Sequence, residues 1–148
     1  AKLLILAGAD STKVESEIEQ RHLQNNVIVI DDVFDVDNYN AAADFTLYSS
    51  EYESFCLGIL EGMRHGLPSV SFDVGGISEV VLDQETGYLV PFGDMEGLSQ
   101  AIAKFAGDET LRKTMGEKAR QRAKETFSSD TVVRIYLEAY RKVIGGPV

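Results

Sequence analysis

A single cysteine, Cys56, stands among the 148 residues. One thiol cannot close an internal disulfide, so the chain is no disulfide scaffold, and a reducing, cytoplasmic setting fits it. Long apolar runs are missing as well. None approaches the roughly 20 residues that a membrane-spanning helix needs. Basic excess is missing too: the formal net charge is −10, which argues against non-specific nucleic-acid binding and its basic footprint. Ala1-Lys2 leads directly into the first strand-like run, and the expectation is no secretory leader. The first residue is not methionine, and the expectation is a fragment or excised domain. What is present is ordinary globular composition, 44% hydrophobic and 26% charged, in a length suited to one domain with a core.

The charge is uneven. Arg112, Lys113, Lys118, Arg120, Arg122 and Lys124 cluster late, on a helical stretch. A patch facing anionic lipid or another domain is one reading. A solvated helix face is the plainer one, and is preferred.

Strand and helix patterns alternate along the chain. Leu3-Leu4-Ile5-Leu6-Ala7 is an unbroken apolar run before Gly8, as expected of a strand buried on both faces. Thr12 and Glu15 have the spacing of a capping box for a helix reaching about Gln24. Val27–Ile30 reads as a second buried strand, Asn38–Ala43 as a short helix and Phe45–Tyr48 as a third strand. A helix follows over Cys56–His65, with Ile59, Leu60 and Met63 on its apolar face. Gly58 and Gly62 on it invite close approach of another element, and Gly66 and Pro68 end it. Ser69–Phe72 is a fourth strand, Gly75-Gly76 a turn, Ile77–Leu82 a short helix and Tyr88–Val90 the last strand. From Asp94 the chain is helical, with Ser129 or Asp130 as candidate cap of the final helix and Gly145-Gly146-Pro147 as its end. Such alternation predicts an α/β fold with a doubly wound, Rossmann-like parallel sheet. Ligands of such sheets bind beyond the carboxyl ends of the strands. The segments there are Gly8–Ser11, Asp31–Asp35, Ser49–Leu57 and Asp73–Ile77.

Most of the chemistry lies in Glu53-Ser54-Phe55-Cys56-Leu57-Gly58-Ile59-Leu60-Glu61. A loop here runs into a helix N-terminus, whose unpaired N–H groups attract phosphate. A carboxylate further along can reach a sugar hydroxyl, and the pair makes a nucleotide site. On one helix, eight residues would separate the two glutamates by about 12 Å. Carboxylates of a hydrolytic pair stand roughly 5–9.5 Å apart. Separate roles therefore fit better than an acid/base dyad: Glu53 facing the transferred group and Glu61 gripping the nucleotide.

The run Ser50-Glu51-Tyr52-Glu53-Ser54-Phe55-Cys56-Leu57 to Glu61-Gly62-Met63, then Gly66-Leu67-Pro68, Asp73-Val74-Gly75-Gly76-Ile77-Ser78-Glu79-Val80-Val81 and Thr86-Gly87-Tyr88-Leu89-Val90-Pro91, resembles the C-terminal domain of retaining glycosyltransferases with the GT-B fold. The likeness is greatest to family 4, the group 1 sequences, and covers essentially the whole chain. Asn25-Asn26-Val27, Ala41-Ala42-Ala43-Asp44 and Phe127-Ser128 resemble it too. Glu53 and Glu61 match the E-x7-E motif; Glu51 does not, since Ile59 lies eight positions on.

The resemblance implies one half of a GT-B enzyme, inactive alone, that binds a UDP-sugar or GDP-sugar donor. It implies Glu53 near the donor sugar and Glu61 on the ribose hydroxyls. The backbone of Phe55, Cys56 and Leu57 would hold the diphosphate, and the backbone near Val33 and Phe34 would read the base. It also implies retention at the anomeric carbon, no cofactor and no metal. The acceptor sugar, lipid-linked in many such enzymes, would bind a separate N-terminal domain, and peripheral membrane attachment stays open. Ser54 and Cys56 stand where the family often has glycine. Ser54 could meet phosphate or cap the helix. Cys56 reads as a small filler rather than a thiol acidified by the helix. Asp31-Asp32 stands where a glycine is usual, which bears on base recognition. The family's Gly-Arg and Lys for the diphosphate precede the first strand and have no match; Lys2 is not in such a loop. Arg64 and His65 sit at the helix's far end, His65 as a last-turn residue favoured by the dipole, and His22 reads as a surface residue. Two alternatives remain: a nucleotide-sugar 2-epimerase of the same fold, which the E-x7-E region and Gly75-Gly76-Ile77 resemble less, and a non-catalytic nucleotide-binding or scaffolding domain.

Overall fold

The structure, a computed structural model, describes residues 1–7 and 10–145. The chain divides into two compact units, Ala1–Tyr39 and Asn40–Val148.

The first unit holds β1 (Leu3–Ala7), α1 (Thr12–Gln20) and β2 (Val27–Asp31), and α2 (Val36–Ala42) runs across the boundary. β1 and β2 pair in parallel, Leu3 opposite Val27 through Ala7 opposite Asp31. Burial on both faces, expected for these strands, is not found: Leu3, Leu4 and Ile28 are exposed. Two strands and one helix are too few to cover two sheet faces. α1 is shorter than its pattern predicts, because His22 takes a left-handed φ of 57° just past its end. Its start also differs from the capping box expected of Thr12 and Glu15. Ser11 is the N-cap, but its hydroxyl donates to Asp31 (2.8 Å), and Asp10 accepts the Thr12 N–H (3.0 Å) instead. Gly8, which opens one of the candidate ligand segments, lies outside the described residues.

The second unit is built on β3 (Thr46–Tyr48), β4 (Ser69–Asp73) and β5 (Gly87–Pro91), a parallel sheet in the order β3-β4-β5. Around it stand α3 (Leu57–Arg64), α4 (Ile77–Val80), α5 (Met95–Gly107), α6 (Glu109–Thr126) and α7 (Ser129–Ile144). Alternation along β4 separates two cores. Val70 and Phe72 pack with Val90, Leu98, Ala101, Phe105 and Met115. Ile59 and Met63 pack with Ile77, Val80, Val81, Ala119 and Ala123. The sheet is thus wound on both faces, as the strand–helix alternation predicts. Phe105 is fully buried, a contribution of about 1.5–3 kcal/mol from area removed from water.

Glycines set the close approaches. A Cβ at Gly62 would lie 2.7 Å from the Thr46 methyl, and one at Gly58 2.3 Å from the Tyr48 hydroxyl, so both glycines of α3 face β3. The final helix is capped one residue before the expected position: Ser128 accepts the Thr131 N–H (3.3 Å). It ends at Gly145, with φ 70°; Gly146 and Pro147 lie outside the described residues.

The arginines of the late basic cluster do more than face solvent, although Arg120 remains exposed: each donates to a carbonyl of another element. Arg122 donates to the carbonyls of Val80 (2.9 Å) and Glu79 (2.7 Å), and Arg120 to that of His65 (3.0 Å). Arg112 donates to the Phe105 carbonyl and pairs with Asp44 (3.3 Å). These guanidinium groups from α6 close the C-terminal ends of α3, α4 and α5, where carbonyls lack helical partners.

Candidate functional site

β3 delivers the chain at Tyr48 to a loop, residues 49–56, that turns into α3 beyond the sheet's carboxyl end. α3 begins without a side-chain cap. Cys56 is its N-cap residue, in the left-handed conformation (φ 60°, ψ 74°), and no acidic residue lies in the first turn. The first N–H groups of a helix have no intrahelical partner. An uncapped N-terminus at the carboxyl edge of a parallel sheet is a place for an anion.

The loop is held from below by the turn after β4. Gly76 N–H donates to the Glu53 carbonyl (3.2 Å). A Cβ at Gly75 would lie 1.7 Å from the Glu53 carbonyl oxygen, and one at Gly76 2.2 Å from that of Ser54. Gly75 also has φ +55°. Both glycines are therefore required by backbone lying directly on backbone.

Each predicted residue of this loop can now be placed. Glu53 is half-buried and accepts from Ser50 Oγ (2.8 Å). Ser54 is exposed and does not cap α3. The Phe55 ring turns inward and meets Phe127 edge to face at 5.5 Å, with the Arg122 guanidinium over the other ring at 5.4 Å. Phe55 thus leaves its backbone to the site and its side chain to the core. Leu57 is 66% exposed at the first turn of α3. Glu61 is exposed on the same helix. Cys56 is buried. Burial pushes its thiol up from the ordinary value; the Ile59 N–H works the other way, and the Glu53 and Glu61 carboxylates add to the rise. A small buried filler is what this environment makes of Cys56, not a reactive thiolate.

Val33 and Phe34 belong to the first unit, in the segment after β2. Val33 is half-buried and Phe34 is 97% exposed. Asp32 just before them has φ 53°, a conformation most residues avoid but aspartate tolerates. Asp32 thus adopts the backbone form that a glycine at this position would take freely. Arg64 is exposed in the last turn of α3, and His65 is its C-cap residue. Lys2 reaches the Asn25 carbonyl at the start of β1, away from the strands' carboxyl ends.

Sequence reasoning missed Tyr48 and Ser50. Tyr48 is the last residue of β3, and its ring packs on the core that contains Cys56 and Ile59. Burial raises its phenol well above the ordinary value, with Cys56, Glu61 and Glu53 adding to the rise in that order. Its hydroxyl stands close against α3, 2.3 Å from where a Cβ at Gly58 would lie. The available signal was the pair Gly58 and Gly62, whose missing side chains mark where β3 comes close.

Comparison with known proteins gives the family and the fold. A family profile described as glycosyl transferases group 1 matches residues 2–122. An N-acetyl-alpha-D-glucosaminyl L-malate synthase from Bacillus anthracis is 34% identical over 97% of this chain and 38% of its own length. Among solved structures, a sucrose-phosphate synthase from Thermosynechococcus elongatus superposes with a TM-score of 0.87 at 27% identity, covering 97% of this chain and 39% of that one. An Anabaena protein in complex with UDP-glucose shares the fold, with a TM-score of 0.83 at 22% identity, over 95% of this chain and 41% of that one. The chain belongs to the group 1 glycosyltransferases and has the architecture of one half of a GT-B enzyme. It spans about two-fifths of the length of these three proteins.

Proposed function

We propose that this chain is the donor-binding part of a retaining glycosyltransferase, which transfers a sugar from a nucleotide diphosphate sugar to an acceptor bound elsewhere in the enzyme. One observation carries the reading: the uncapped N-terminus of α3 opens at the sheet's carboxyl edge with Glu53 before it and Glu61 within it. The N–H groups at Phe55, Cys56 and Leu57 hold the diphosphate, and the helix dipole favours the charge that grows on it as the glycosidic bond breaks. Glu61 accepts from the ribose hydroxyls. Glu53, held by Ser50, faces the donor sugar, where it positions the ring and supports positive charge at the anomeric carbon. The exposed Ser54 hydroxyl adds a donor to the phosphate. The segment at Val33 and Phe34 reads the base of a UDP-sugar or GDP-sugar.

No metal enters this scheme. The acceptor is a sugar, with a lipid-linked one the first to try. Among the described residues no helix is long and apolar enough to cross a membrane. A cytoplasmic site of action suits the scheme. Peripheral attachment to a membrane would fall to the lysines of α6, since its arginines are engaged. Calorimetric titration of the full-length enzyme with UDP and GDP tests the whole. Glu61→Ala should weaken the nucleotide that binds by about 1.5–3 kcal/mol, roughly 10- to 150-fold, the scale of a hydrogen bond to a charged group. Unchanged affinity in that variant contradicts the ribose role, and product release that needs a divalent cation contradicts the metal-free step.

A further inference from the structure

α7 differs from its neighbours in what becomes of its apolar residues. α5 buries Leu98, Ala101 and Phe105, and α6 buries Met115, Ala119 and Ala123. α7 buries none. Val133, Ile135, Tyr136, Tyr140, Val143 and Ile144 are each more than half exposed, from 54% at Ile135 to 84% at Val143. Between Val132 and Ile144 the charged residues are Arg134, Glu138, Arg141 and Lys142, and every other residue is apolar. At about 100° per residue the charged ones share one arc, and the apolar arc spans roughly 200°, about twice the stripe of an ordinary surface helix. An exposed apolar face of that width marks a contact surface.

A lipid surface suits this face poorly. Helices that lie on membranes carry Lys and Arg on the polar side. Here Glu138 stands on that side, paired with Arg134 (3.6 Å), in a chain of net charge −10. A second copy of α7 would cover only the narrow seam of a helix pair. An arc this wide needs a groove in a larger body. The relatives contain such a body. The Bacillus anthracis synthase matches 97% of this chain, too much to leave out a 16-residue helix, yet only 38% of its own length. About three-fifths of that protein has no counterpart here.

We propose that the apolar face of α7 docks into an apolar groove on the remainder of the same enzyme, the part that receives the acceptor, and so ties the two parts together. This rests on the reading above that the acceptor is bound elsewhere in the enzyme. Tyr136 and Tyr140, with ring centroids 6.3 Å apart, form the aromatic ridge of the face, and such side chains anchor interfaces.

The test treats the full-length enzyme with tetranitromethane and reads nitration of Tyr136 and Tyr140 by peptide mass, native and unfolded. Both should be spared in the native monomer and nitrated after unfolding, whatever the dilution and with or without phosphatidylglycerol vesicles. Nitration of both in the native monomer overturns the proposal. Sparing that disappears as a dimer dissociates on dilution gives the face to a second copy. Sparing that appears only with vesicles gives it to a membrane. Either result overturns docking within the enzyme. Tyr140→Ala supplies an independent measure. Loss of a docked ring should lower the melting temperature by several degrees, whereas a free surface position, like the control Lys142→Ala, hardly moves it. A melting temperature left in place by Tyr140→Ala also overturns the proposal. Titration of the same samples with UDP and GDP keeps the two readings apart. Spared tyrosines without nucleotide affinity support the docking and contradict the donor site. Nucleotide affinity with nitrated tyrosines does the reverse.

Discussion

α3 and α6 begin in opposite ways. α6 starts at Asp108, whose carboxylate accepts the Leu111 N–H (2.8 Å), and α5 and α7 start likewise at Asp94 and Ser128. α3 starts at a buried cysteine in a left-handed conformation, with no side-chain oxygen on its N–H groups. The ends reverse the contrast: arginines reaching out from α6 close the far ends of α3, α4 and α5. One helix is finished at its start and finishes its neighbours. The other is left open where the sheet presents ligands. An open helix start costs stability, and it is tolerable where a bound anion can take the cap's place.

The sharpest way to break this contrast is at the turn beneath the loop. Gly75→Ala should lower the melting temperature most and abolish nucleotide binding, because its Cβ cannot stand 1.7 Å from the Glu53 carbonyl oxygen without moving the loop. Gly93 is the control, with φ +83° and nothing within 4 Å of a Cβ. Gly93→Ala should cost only the backbone term, about 1–2 kcal/mol, and leave binding intact. Equal losses in the two variants would mean that the left-handed backbone, not the contact with Glu53, is what Gly75 provides.

How much of this was legible follows from what kind of information each feature carries. The alternation of strand and helix and the E-x7-E spacing are local patterns, and they placed the five strands and α1 to α4 within a few residues, but gave no break at Asp108 between α5 and α6. Gly75-Gly76 could be read as a turn, but its reason, the Glu53 and Ser54 backbone lying on it, comes from a segment twenty residues earlier. The arginines of α6 looked like surface charge, because each carbonyl they meet lies in another element. Thr12 and Glu15 had the right spacing for a capping box and did not make one, since Asp10 took the Thr12 N–H. Tyr48 carried no signal of its own; only the glycine opposite it did.

Next in size is the scaffold's end of the contrast. Arg122→Met keeps the stem but uncovers the Glu79 and Val80 carbonyls at the close of α4. It should destabilise by about 1–2 kcal/mol, or roughly 2–8 °C in melting temperature, measured by calorimetry with and without nucleotide. Nucleotide affinity should change little. A large loss of affinity at unchanged stability would instead bring Arg122 into the site's chemistry.

Smaller again are the caps themselves. Asp108→Ala should cost about 1 kcal/mol. Cys56→Ser places a good capping residue at the start of α3, yet should bring no gain. At φ 60° the residue is outside the extended region from which a cap reaches back to the helix N–H groups. A Cys56→Ser variant more stable than the wild type by the usual value of a cap would show that the open start is a matter of residue type rather than of backbone.

The smallest effect separates the two helix starts by pH. At α3 the Tyr48 phenol and the Cys56 thiol are both raised, chiefly by burial, from ordinary values of 10.0 and 9.0. An acid with a raised pKa in the fold contributes stability that is complete below its unfolded value and is lost as pH rises toward the folded one. The site should therefore weaken in alkali, from about pH 9 upward, and Tyr48→Phe and Cys56→Ser should each flatten that limb of the melting curve. At α6, Glu109 is lowered from 4.5 by the Lys113 ammonium, which hydrogen-bonds it at 2.6 Å. Its contribution is present above that value and fades as pH falls through the lowered one, so Glu109→Gln should flatten the acid limb instead. Titrating the melting temperature of the three variants from pH 3 to pH 11 reads both limbs. If Tyr48→Phe altered the acid limb as well, the substitution would act through packing under α3 and not through the titration of the phenol.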